Sequence, residues 1–74
     1  MIAKGGKYTK LVGMNVKLAR IKAGLSQEEL AEKADLSRLT IGTIERGEKV
    51  PSVETIGSIA DALGIEIHKL FIFD

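Results

Sequence analysis

The chain has no cysteine, no tryptophan, a single proline, a single histidine, one tyrosine and two phenylalanines. Without thiols there is no disulfide framework, no cysteine-type zinc site and no thiol nucleophile, so nothing covalent reinforces the core. No apolar run approaches the roughly 18 residues that a membrane-spanning helix needs. The opening "MIAKGGKYTKL" carries lysines but no apolar run of signal-peptide length. These absences lead to the expectation of a protein of the reducing cytoplasm, without a membrane partner.

Negative charge is also missing from the first third. No acid precedes Glu28, whereas Lys4, Lys7, Lys10, Lys17, Arg20 and Lys22 all lie before it. The formal net charge is only +1, but this asymmetry points to a polyanion near the N-terminal third. What is present in quantity is apolar: 45% hydrophobic residues over 74 positions make one globular domain, too small for two cores and too apolar for disorder. The expected division is a basic arm over 1–8, a globular domain over 9–71 and an apolar tail over 72–74.

Apolar residues at Val12, Val16, Ala19 and Ala23 recur at helical spacing, and Gly24 follows as a cap, predicting a helix from Thr9 to Ala23. "SQEE" opens a second helix: Ser26 caps the free amides, Glu29 reaches back in a capping box, and Leu30, Ala31 and Ala34 face inward. "DLS" is a tight turn, with Asp35 able to take the left-handed conformation, Leu36 plugging the corner and Ser37 capping a third helix, Arg38 to Arg46. Gly47 ends it. Ser52 caps a fourth helix with Val53, Ile56, Ile59, Ala60 and Leu63 inward and Gly64 at its close, and "IHKLF" forms a short fifth. No strand alternation is sustained, although "FIFD" could extend as an edge.

On the third helix, Ile41, Ile44 and Glu45 share one face and Leu39, Gly42, Thr43 and Arg46 the other. The first face goes inward. The second is then an outward ridge, where Gly42 costs roughly 1 kcal/mol against alanine. Two reasons for keeping it stand side by side: close backbone approach to a partner, or a tight crossing against the second helix. An inward Glu45 requires a cation to meet it.

The stretch "LSQEELAEKADLSRLTIGTIERG" with the later "PSVETIGSIADALG" resembles the Cro and phage-repressor type of helix-turn-helix domain, the xenobiotic response element family of bacterial regulators. The resemblance runs from about Val12 to Phe71 and includes Gly13 and Arg20. It implies an all-α, compact five-helix, repressor-like domain whose third helix enters the major groove of double-stranded DNA. Asp35 stands where the family commonly has glycine, and Gly42 where it commonly has serine.

Position by position, the resemblance implies that Arg38, Leu39 and Thr43 contact bases. Arginine suits guanine O6 and N7, leucine a thymine methyl, and threonine either kind of edge. Gln27, Ser37, Arg46 and Lys49 match phosphate-contacting positions, and Gly42 would permit close approach to DNA. Arg20 matches the family's partner for Glu45, giving a structural ion pair between the first and third helices.

No catalytic residue, metal site or cofactor is expected. His68 has no nucleophile candidate beside it, Ser26, Ser37 and Ser52 are explained as caps, and the glycines form no phosphate-cradling loop. One helix in one groove is a modest footprint, so a homodimer on a two-fold site is expected. Ile67, Phe71, Ile72 and Phe73 exceed the needs of so small a core and are the dimer-interface candidates, with Leu18 and Ile21 a second patch. The alternative is an antitoxin-like or other protein-interaction module, whose partner the sequence leaves unknown and whose DNA binding is weak or non-specific.

Overall fold

The computed structural model describes residues 6–73; Lys4 and the rest of the 1–5 segment, together with Asp74, lie outside it. Four α-helices follow one another, α1 (Lys7–Lys22), α2 (Gln27–Ala34), α3 (Arg38–Glu45) and α4 (Val53–Leu63), and a 3-10 helix, Ile67–Phe71, closes the chain. The fifth segment is thus a 3-10 turn rather than a fifth α-helix. Among the described residues there is no strand, and Ile72 and Phe73 do not pair as an edge.

The caps set the boundaries. Ser26 accepts from the Glu29 amide at 3.0 Å while the Glu29 carboxylate accepts from the Ser26 amide at 2.8 Å. Two donors that helix geometry leaves without partners are satisfied this way. Ser37 and Ser52 accept from the amides of Thr40 and Thr55 at 3.0 and 3.1 Å. Asp35 takes the left-handed conformation, φ 58° and ψ 44°, and is the only non-glycine residue described with positive φ. Its backbone turns α2 into α3, and the Leu36 amide closes on the Ala31 carbonyl at 2.8 Å.

The core is a single cluster. Val16, Leu30, Ile41, Ile59 and Leu70 are fully buried, and Val12, Ala31, Ala34, Ile44, Ile56 and Ala60 complete it. α3 packs against α1 and α2, α2 against α4, and the 3-10 helix against both α1 and α4. α3 therefore rests on two helices.

Several boundaries and faces differ from the periodicity. α1 begins at Lys7, not Thr9, so Lys7 and Tyr8 belong to the helix and not to an arm. The Tyr8 ring lies 6.1 Å from that of Phe73, a contact from the other end of the chain that supports the extra turn. Ala23 is exposed because it is the C-cap, beyond the last helical residue. Val53 is 77% exposed because it occupies the first helical position of α4, above the core rather than against it. Arg46 caps α3 instead of extending it.

The three-residue turn of the 3-10 helix also decides which tail residues face in. Leu70 is 1% exposed, while Ile67, Phe71 and Ile72 are 39%, 49% and 51% exposed. Phe73 is half-buried against the core, unlike its three neighbours in the proposed interface set. Asn15 holds this tail with both hydrogens of its amide, donating to the carbonyls of Leu70 at 3.0 Å and Ile72 at 2.9 Å.

Candidate nucleic-acid interface

The outer surface of α3 is built from its N-cap onward. Arg38 is exposed, and Leu39, at 71%, is among the most exposed large apolar residues of the molecule. Thr43 follows one turn later, half-buried, its hydroxyl donating to the Thr40 carbonyl at 2.9 Å. That bond keeps the Thr43 methyl and hydroxyl in a fixed rotamer. An apolar side chain so exposed buries little in the monomer, so Leu39 contributes little packing energy there. Ser37 has its hydroxyl committed to the cap and to a bond with Thr40 Oγ1 at 2.8 Å.

Behind α3 the inward face carries one ionic cluster. Arg20 Nε donates to Glu45 Oε2 at 2.7 Å and Arg20 Nη2 to Glu45 Oε1 at 3.1 Å, a two-point pair whose side chains are only 12% and 3% exposed. Nη1 of the same guanidinium donates to the Leu25 carbonyl at 2.8 Å, so α1, α3 and the loop before α2 meet at one charged group. The hydrogen bonds that Arg20 donates to Glu45 raise the Arg20 pKa above its already high ordinary value, outweighing the opposite effect of burial. Gln27, at the first position of α2, donates from Nε2 to Glu45 Oε1 at 3.0 Å. Its amide keeps a second hydrogen for another acceptor. The cluster thus fixes the start of α2 relative to the end of α3.

Gly42 is not open to the outside. It is buried, and what covers it is the guanidinium of Arg46: a Cβ at Gly42 would lie 3.1 Å from Arg46 Nη1. Neither α2 nor a bare ridge explains this glycine, because the outward surface at that point is the Arg46 side chain folded back along its own helix. Arg46 in turn donates from Nε and Nη2 to Glu48 at 2.9 and 3.2 Å. Lys49 is exposed just beyond.

One further cation joins this end of α3. Gly47 has φ +69°, and a Cβ there would come within 2.9 Å of Lys10 Cα and 2.6 Å of Lys10 Cγ, so the stem of Lys10 crosses the residue that follows the end of α3. The stem of Lys10 and the side chain of Arg46 thus lie at one helix end, with the exposed Lys49 following in the chain. Lys10 carries no motif, and only the acid-free character of the N-terminal third hinted at it.

Two short helices joined by a left-handed corner, the second with an exposed outer face and cations past its end, define a helix-turn-helix protein. A family profile described as helix-turn-helix matches residues 16–70, and the chain belongs to that family. It is 45% identical over 59 residues to the immunity repressor protein of Bacillus phage phi105, covering 80% of this chain but only 41% of that repressor. It is 41% identical over 64 residues to the control protein C.BamHI of Bacillus amyloliquefaciens, covering 85% and 79% of the two chains. The fold matches the restriction-modification controller protein C.AhdI of Aeromonas hydrophila with a TM-score of 0.84 and 38% identity, over 85% of this chain and 96% of that one.

Proposed function

We propose that this protein is a transcriptional regulator that binds double-stranded DNA in a sequence-specific manner, as a homodimer on a two-fold symmetric operator with α3 in the major groove. DNA-binding regulation, not catalysis, is the role of its helix-turn-helix family. The observation that carries the finer assignment is the exposed Leu39 beside Arg38 on a helix locked from behind by the Arg20–Glu45–Gln27 cluster. Locking matters because base readout needs donors and methyls held in register with base edges.

In this arrangement Arg38, Leu39 and Thr43 read bases, while Gln27, Lys49 and Lys10 bind phosphates and add affinity that falls with salt. Ser37 serves the cap first. The dimer surface is assigned to Ile67, Phe71 and Ile72, with Phe73 acting mainly as their support. The control proteins and the phage repressor among its relatives are consistent with a small regulator of this kind.

The test is selection from random duplex DNA by repeated binding at near-physiological salt, followed by sequencing. The expected product is a two-fold symmetric motif with half-sites about 34 Å apart, one helical turn. Absence of any enriched motif would overturn sequence-specific binding and favour a protein-interaction module.

A further inference from the structure

Arg46 is the C-cap of α3, one turn beyond Gly42. Its Nη1 lies over the bare backbone of Gly42, and its Nε and Nη2 form a two-point pair with the Glu48 carboxylate at 2.9 and 3.2 Å. A guanidinium meets a phosphate through the same paired donors that it offers a carboxylate. One of the two paired-donor edges that a phosphate could use, Nε with Nη2, is therefore occupied by a group of the protein's own, and Nη1 of the other edge lies against the helix at Gly42. Both side chains are well exposed, at 55% and 51%, so the exchange of one anion for another requires no unfolding.

We infer that Glu48 is a brake on DNA affinity: it holds Arg46 along the recognition helix, and a DNA phosphate engages Arg46 only by displacing it. The inference rests on the DNA binding proposed above. A cation and an anion in contact form a neutral pair, far closer than the roughly 8 Å screening length of physiological salt. While the pair stands, Arg46 releases no counterions from DNA and contributes nothing to salt-dependent affinity.

Gly42 is part of the device. A side chain there would press on the guanidinium from beneath, whereas glycine leaves a seat for it. Glu48 lies two residues from Arg46, so the competitor is always at hand. A phosphate contact carries no sequence information. The brake accordingly weakens binding to all sequences alike and leaves Arg38, Leu39 and Thr43 to decide which sites are held.

The experiment measures Kd for a fluorescently labelled duplex of random sequence across a salt series, with the wild type, Glu48→Gln, Arg46→Met and the double variant. Glu48→Gln is expected to tighten binding by about threefold, in keeping with the modest strength of exposed pairs, and to steepen the log Kd against log salt slope by up to about 0.9. In the Arg46→Met background most of that gain should vanish, which separates displacement of Glu48 from the general benefit of removing a negative charge. Thermal unfolding checks that each variant is folded. Wild-type binding with Glu48→Gln unchanged or weaker, or an equal gain in both backgrounds, overturns the brake alone. No salt-dependent binding by any folded variant overturns DNA binding itself and the brake with it.

Discussion

Gly13 of α1 lies directly against the carbonyl oxygens of Ile44 and Glu45 at the end of α3. A Cβ at Gly13 would overlap the Ile44 carbonyl and sit 3.0 Å from that of Glu45. Backbone stands on both sides of this contact, so neither helix can give way by a rotamer change. Gly13→Ala should destabilise the domain by about 2 kcal/mol through overpacking, despite alanine's better helix propensity. Urea unfolding midpoints check this, and a stabilised variant would show that the two helices are free to move apart.

Arg20→Ala should cost on the order of 3 kcal/mol, because Glu45 stays almost wholly buried and loses its two-point partner. For a domain of this size that is a fall in Tm of roughly 15 °C. An unchanged Tm would mean that the pair contributes nothing to stability. The end of α3 would also lose its tie to α1 and to the loop before α2, keeping only the bond from Gln27, so DNA affinity measured well below the lowered Tm should fall as well.

The capping box supplies a pH dependence. The Ser26 backbone amide, and secondarily its hydroxyl, hold the Glu29 carboxyl below the ordinary glutamate range. A depressed value means that the charged form is favoured by folding, so this contribution is complete above the usual glutamate pKa, about 4.3, and fades as pH falls through the lower folded value. Glu29→Gln should therefore separate from the wild type in Tm at neutral pH and converge with it in acid. A constant separation down to acid pH would contradict the assignment.

Arg38 and Lys49 should behave differently as variants. Arg38→Ala is expected to cost about 1–3 kcal/mol on the selected operator and to relax preference at one base position. Lys49→Ala should weaken binding uniformly across sequences and reduce the salt slope by about 1. Electrophoretic or anisotropy titrations on operator and scrambled duplexes distinguish the two patterns. Identical behaviour would remove Arg38 from the base-reading set.

Phe71 and Ile72 point out of the monomer while Phe73 packs in, so the interface test uses the first two. Phe71→Ser with Ile72→Ser should leave the fold intact and shift sedimentation velocity from dimer to monomer at micromolar concentration. A double variant that still sediments as a dimer would place the contact elsewhere, with Leu18 and Ile21, both more than half exposed, as the next surface, and a wild type that sediments as a monomer would overturn the proposed homodimer.

Much of this molecule is legible in its sequence. Ser26, Ser37 and Ser52 announced helix starts because a short hydroxyl satisfies an amide two or three residues on, which is a local event. Asp35 and Gly64 announced ends for the same reason, their left-handed backbones depending on neighbours only. The inward stripes of α2 and α3 followed from period, and the corner between them from its turn residues. Among the apolar stripes, period misjudged Val53 and Ala23: both fit the spacing, but the first opens α4 and the second lies past the end of α1, and both are exposed.

The sequence by itself determined the helices, their caps and the family, because these rest on interactions between residues a few positions apart. Tertiary structure alone decided the rest. It brought Lys10 beside Gly47, laid the Arg46 guanidinium over Gly42 and onto Glu48, joined Gln27 to Glu45, and sorted Phe71 outward from Phe73. Most of these contacts join segments distant in the chain. Where they are local, as at Arg46, the choice lay with a flexible side chain, whose rotamer depends on the space and charge that the folded neighbours leave to it.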